Sequence, residues 1–196
     1  MSTLGSTLHL IRSGSAKQGF TLVELVVTLA ILGVLTTAAL PSFLRYQLRA
    51  RSSEALVNLA AIATNQEIYF AEHGVFIEVA APVPASAPGS SRSAWTPGSN
   101  FDTLGWAPEG GVQFQYQVVA DNSQAESVRF TAEARGDVDG DGQPSFWGFI
   151  KSGASGGLNG AFPGTTCIGS GVVAGNSVHT VDTPGPCDTS SGRLVF

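Results

Sequence analysis

Polar and apolar positions fall into stretches of different period along this chain. From Phe20 to Leu40 every residue except Glu24 is apolar, small or hydroxyl-bearing, and Pro41 closes the run. Such a stretch is long enough to cross a hydrocarbon core as a helix. Between Pro41 and Gly74 charges return at Arg45, Arg49, Arg51, Glu54, Glu67 and Glu72, while Ala55, Leu59, Ile62, Gln66 and Tyr69 recur at helical spacing. The spacing predicts that the helix continues as an amphipathic one, with a stripe for a sheet to cover. Pro41 lacks a backbone donor and is expected to kink or loosen the helix, and Gly74 to stop it.

Beyond Gly74 the period changes. Residues 79–110 are rich in Pro, Ala, Ser and Gly, with Trp95, Phe101 and Trp106 embedded, and read as a long connection that these aromatic residues pin to the domain. Val112 to Val118 then alternates strictly, apolar residues on one face and glutamines on the other; Ser127 to Ala134 and Phe146 to Ile150 follow as strands. Arg193 to Phe196 offers a fourth. Consecutive strands joined by turns make an antiparallel meander whose apolar face the helix can cover. The expected fold class is α+β, a long N-terminal helix against a small antiparallel sheet.

Charge sharpens this picture. Arg12 and Lys17 precede the apolar run and residues 1–19 contain no acid, a bias that keeps the N-terminus cytoplasmic and sends the rest outward. The chain carries a net charge of −5, and without residues 1–19 it is more acidic still. No basic footprint for nucleic acid is present. A carboxylate inside a membrane run is costly unless protonated or met by a cation. No Lys or Arg lies inside the run, so the simplest partner for Glu24 comes from another copy of the chain. Three plainer readings compete: a secretory signal peptide cut near Thr37-Ala38-Ala39, a simple anchor for an exported domain, and a core helix of a soluble protein.

The residues Gly19-Phe20-Thr21-Leu22-Val23-Glu24 resemble the processing and N-methylation motif of type IV pilins and the type II secretion pseudopilins. Gly33, Pro41 and Tyr46 extend the likeness, which covers roughly residues 17–73. The resemblance implies cleavage after Gly19 by a membrane-embedded prepilin peptidase and methylation of the new amine at Phe20. It also implies that Glu24 meets the N-terminal ammonium of a neighbouring subunit during assembly. The expected organisation is then a leader peptide at 1–19, a transmembrane and filament-core helix at 20–40, its amphipathic continuation at 41–74, and a globular β-rich domain at 75–196.

Two further motifs lie in that domain. In Gly136 to Gln143, Asp137, Asp139 and Asp141 occupy the first, third and fifth positions of a calcium loop, with Gly142 at the sixth. The backbone carbonyl of Gln143 is a possible fourth ligand, but the twelfth position, where a bidentate Glu belongs, is Gly148. The alternative is a hairpin turn that uses Asp and Gly for their backbone freedom. Crowded carboxylates repel one another without a cation, and some pilin-like relatives bind calcium near the C-terminus, so calcium is the expected cofactor. Cys167 and Cys187 are expected to form a disulfide in an exported domain, with free thiols as the alternative. The resemblance agrees, since many type IV pilins close a C-terminal loop this way. A zinc site with His179 lacks a fourth ligand.

His9, His73 and His179 are scattered, and no catalytic constellation or phosphate loop is visible, so no enzyme is expected. The resemblance implies a structural subunit of a type IV pilus serving adhesion or motility. Its partners would be like subunits, the prepilin peptidase, the assembly machinery and inner-membrane lipid before assembly, with no specific nucleic acid. A single-pass inner-membrane stage, with the C-terminal domain periplasmic, precedes the surface filament. The alternatives are a pseudopilin of a periplasmic secretion pseudopilus and, from another class, a monomeric anchored periplasmic domain.

Overall fold

The computed structural model describes residues 19–124, 127–162, 167–174 and 178–192. The chain divides into two units that meet between Ser42 and Phe43. In the first, helix α1 (Leu22–His73) begins; it continues into the second, with Pro41 inside it rather than at its end. Among residues 22–40 the large apolar side chains are exposed throughout. The hydroxyls in this stretch are satisfied internally: Thr28 donates to the Leu25 carbonyl at 2.8 Å, Thr36 to Leu32 at 2.7 Å and Thr37 to Gly33 at 2.9 Å. This helix surface therefore offers apolar groups and no unpaired hydroxyl donor, as a lipid or helical environment requires.

In the second unit α1 buries Ala55, Leu59, Ile62 and Gln66 of the predicted stripe together with Ser52 and Ala63, and Tyr69 packs at its border. Gly74 ends the helix in the left-handed region (φ 73°), its N–H returning to the Phe70 carbonyl at 2.8 Å. The buried Gln66 amide then pairs with the backbone of Ile77, donating to its carbonyl at 2.7 Å and accepting from its N–H at 2.9 Å. This pairing turns the chain back towards the sheet.

The strands that follow are β1 (Val79–Val83), β2 (Ser93–Ala94), β3 (Gly111–Val112), β4 (Gln115–Asp121), β5 (Arg129–Gly136), β6 (Ser145–Lys151), β7 (Val172–Ala174), β8 (Val178–Thr180) and β9 (Gly185–Pro186). Short helices α2 (Asn100–Thr103) and α3 (Thr189–Gly192) punctuate them. The main sheet has the order β1-β4-β5-β6-β9 and is antiparallel throughout; β2-β3 and β7-β8 are separate ribbons. The expected meander is β4-β5-β6.

Four features depart from expectation. The connection at 79–110 is not structureless, because Val79–Val83 forms an edge strand and Asn100–Thr103 a turn of helix. Pro82 concealed that strand, since proline within a sheet is tolerated at an edge. The strand placed at 112–118 starts at Gln115 instead. Val112 pairs with Ser93 in the small ribbon, and the Gln113 N–H goes to the Glu54 carboxylate on α1 at 2.7 Å, which interrupts the ladder. The glutamine face is also covered: Gln113 and Gln115 are buried. The other edge of the sheet is β9, while Arg193 to Phe196 lie outside the described residues.

The two faces are closed by different means. Towards α1, Tyr116, Val118, Phe130, Ala132, Ala134, Trp147 and Phe149 join the helix stripe in one apolar core. Phe130 lies tilted against Phe76 (4.7 Å) and stacks on Phe149 (5.7 Å). The loop aromatics pack here as expected, with Trp106 near Tyr116 (5.5 Å) and Trp95 against Phe101 (5.5 Å). On the opposite face Thr131 and Glu133 are buried under the segment that follows β6, while the buried Gln115 donates to the Pro84 carbonyl, just past β1, at 2.7 Å.

Candidate functional site

The residues before the first helical turn are extended and exposed. Gly19 has nothing within 4 Å of where a side chain would begin, and Phe20 is 74% exposed. Thr21 then caps α1. Its hydroxyl accepts from the Glu24 N–H at 3.3 Å and donates to the Glu24 carboxylate at 2.6 Å, and its own N–H donates to that carboxylate at 2.9 Å. This is a capping box, in which the first turn satisfies two of its orphan donors reciprocally. Sequence reasoning treated Glu24 as partnerless within its own chain. The Thr21-x-x-Glu24 spacing carried the signal for a local partner. The local bonds orient the carboxylate at the helix start, beside the backbone N–H that follows Phe20.

The acidic loop joins β5 to β6. Asp137, Asp139 and Asp141 each bring a carboxylate oxygen within 4.8 Å of the others. The Asp137 carboxylate already accepts N–H bonds from Gly140 (2.8 Å), Asp141 (3.2 Å) and Gly142 (3.0 Å), and Asp141 accepts from the Gln143 N–H at 2.7 Å. Gly140 and Gly142 both have positive φ, which glycine adopts without strain. The Asp139 carboxyl is held above its ordinary range by desolvation first, then by Asp137 and the charge of Asp141. A cation would relieve that crowding. The twelfth loop position cannot help: Gly148 lies on β6, where a Cβ would sit 2.6 Å from the Cys167 sulfur. The donor set fits a hard cation with three carboxylates and leaves its other positions to backbone or solvent.

Cys167 and Cys187 are joined in a disulfide, and both are buried. Beside it lies Glu133, fully buried on β5, whose carboxylate accepts from the N–H groups of Ala161 and Phe162 (2.9 Å to the latter). Nothing in the alternation around Glu133 distinguishes it from a solvated strand residue. The histidines form no cluster: among the described residues His73 stacks on Tyr69 at 4.0 Å, and His179 approaches the Gly171 carbonyl.

Comparison with known proteins bears on the first of these places most directly. Residues 14–40 match the prokaryotic N-terminal methylation motif. The chain is 32% identical over 122 residues to the type IV major pilin protein PilA of Myxococcus xanthus, covering 62% of this chain and 46% of that protein. It is 37% identical over 62 residues to the type IV major pilin protein PilE1 of Neisseria gonorrhoeae, covering 32% and 29% of the two chains. A fimbrial protein of Moraxella nonliquefaciens is 41% identical over 51 residues, 26% and 33% of the respective chains. The chain thus spans less than half the length of these relatives.

Proposed function

We propose, because this chain belongs to the type IV pilin family, that it is a structural subunit of a surface filament. The observation that carries the reading is the methylation motif at the start of an apolar, fully exposed helix segment. That surface has no counterpart to bury it within the described chain. Before assembly it is held in the inner membrane with the N-terminus cytoplasmic, where a prepilin peptidase cuts between Gly19 and Phe20 and the Phe20 amine is methylated. Neighbouring copies then replace lipid around the helix, the assembly machinery drives the transfer, and the β-rich domain forms the outer surface. The pilin and fimbrial names of the relatives favour this reading over a secretion pseudopilus.

Glu24 is assigned the intersubunit step. Its carboxylate is held by Thr21 in the single chain, and an incoming ammonium would meet a pre-oriented partner. Replacing Gly19 by a bulky residue is expected to leave uncut chain in the membrane, read by N-terminal sequencing. A mature N-terminus after Ala39 would instead establish a secretory signal peptide. Glu24→Ala is expected to be cut normally yet build no filaments as the only subunit, scored by electron microscopy. Filaments of wild-type length and number would remove Glu24 from assembly. Calcium at Asp137, Asp139 and Asp141 is a second proposal, supported by the convergence of the three carboxylates and the crowding at Asp139. Chelator should lower the melting temperature of the chain, and Asp139→Ala should abolish that response.

A further inference from the structure

The segment after β6 runs back across the face of the sheet that α1 does not cover, and β5 holds it with every second side chain. Arg129 donates to the carbonyls of Ser155 (3.1 Å) and Gly156 (3.2 Å). Two residues on, the Thr131 hydroxyl donates to the Leu158 carbonyl at 2.7 Å. Two further, Glu133 receives the N–H groups of Ala161 and Phe162, and after it the Arg135 guanidinium lies 5.3 Å above the Phe162 ring. The strap and the strand thus advance together, one anchor for each outward-facing residue of β5. The fit is close: a Cβ on Gly160 would stand 2.1 Å from a Glu133 oxygen.

We infer that residues 155–162 form a separable strap, seated by Glu133 and kept seated by the Cys167–Cys187 disulfide, that can leave β5 without unfolding the helix-covered core. Three observations carry this. The strap's anchors on β5 are polar bonds to single side chains and the one buried ring of Phe162, whereas the sheet beneath keeps its own ladders with β4 and β6. The disulfide ties the strap to the sheet, because at one end the Cys167 carbonyl accepts from the Gly160 N–H of the strap and at the other the Cys187 N–H donates to the Phe146 carbonyl on β6. Glu133 lies under the strap, with a sulfur of Cys187 3.8 Å from its carboxylate. When the Ala161 and Phe162 donors leave, the carboxylate is bared to water and regains its hydration. Release is therefore expected to involve these anchors together rather than singly. Opening the disulfide frees Cys167, the fixed point that follows the strap, from Cys187 beside β6, and so favours release. This inference concerns the domain alone and stands whether or not the chain builds filaments.

Hydrogen exchange of the full chain in detergent micelles, read by mass spectrometry, tests it. Both sulfurs are buried, so the disulfide is removed by the double variant Cys167→Ser/Cys187→Ser rather than by a reductant. The expected result is exchange at Ala161 and Phe162 faster by about tenfold or more, with β4 and β5 unchanged. Acceleration of the whole domain together would show that the strap is no separate unit. Unchanged exchange would show that the disulfide does not hold it. Glu133→Gln, nearly isosteric and with the disulfide intact, is expected to accelerate the same two amides while sparing the sheet. Wild-type rates in that variant would remove Glu133 as the seat.

Discussion

The sheet has one face covered by carbon and the other by side-chain hydrogen bonds around a small buried group of Ile150, Phe162 and the disulfide. Towards α1 the packing is aromatic and aliphatic, with Phe130, Tyr116, Leu59 and Ile62 all fully buried. Such contacts are non-directional and sum with area. Towards the strap, Arg129, Thr131, Glu133 and Arg135 each hold a particular backbone group or ring. Those contacts fix register and are modest in net energy, but leaving one unmade in a buried place is costly. The first face supplies most of the stability; the second decides where one segment of chain must lie.

The largest test of that division is Phe130→Ala. It removes a ring packed between Phe76 and Phe149, and should lower stability by about 3–5 kcal/mol in denaturant titration. A loss no larger than that of a strap anchor would overturn the ranking of the two faces. Next is Gly148→Ala, where the new methyl would lie 2.6 Å from one disulfide sulfur and 3.1 Å from the other. The expected loss is about 1–3 kcal/mol from overpacking, with the strap disturbed before the helix face, visible as local hydrogen exchange.

Tyr116→Phe is smaller and probes a polar bond embedded in the apolar face. It leaves the Asn58 amide without the phenol oxygen 2.7 Å away, and should cost about 1 kcal/mol. Burial raises the Tyr116 phenol far above its ordinary range, so no titration of that group is expected below strongly alkaline pH.

The smallest effect lies at the edge of both faces, in the acidic loop. The Asp139 carboxyl is raised in the folded chain, so the folded state binds its proton more tightly than the unfolded state does. Its favourable contribution is present below the unfolded value and is lost as pH rises through the folded one. At neutral pH without a cation, Asp139→Asn should then stabilise the domain, by less than about 0.5 kcal/mol because solvent screens the loop. Calorimetry against pH checks the sign. A stability that rises between acid and neutral pH specifically through Asp139 would refute it.

Legibility followed the kind of interaction. The helix, its apolar and amphipathic halves and its glycine stop were readable, because a periodic apolar pattern declares the face it will bury. The meander was readable for the same reason, within two or three residues at its ends. Thr21 with Glu24 was readable too, from the spacing of a capping box. The edge strand at Val79–Val83 was hidden by Pro82, and the buried glutamines by their polarity.

By itself the sequence determined that one helix would be apolar for its first half and amphipathic for its second, and that an antiparallel sheet would meet the latter. It also placed the processing motif at the head of that helix. Local periodicity is enough for these, since each residue's partner is set by the spacing of its own element. Tertiary structure alone decided that the polar face of β5 would be covered, that Glu133 would be buried, and that Gly148 and Gly160 would have no room for a side chain. Those facts depend on a segment distant in sequence lying across the strand and, at Gly148, on the disulfide beside it. A polar residue that will face solvent and one that will anchor such a strap look the same until the chain has folded back over it.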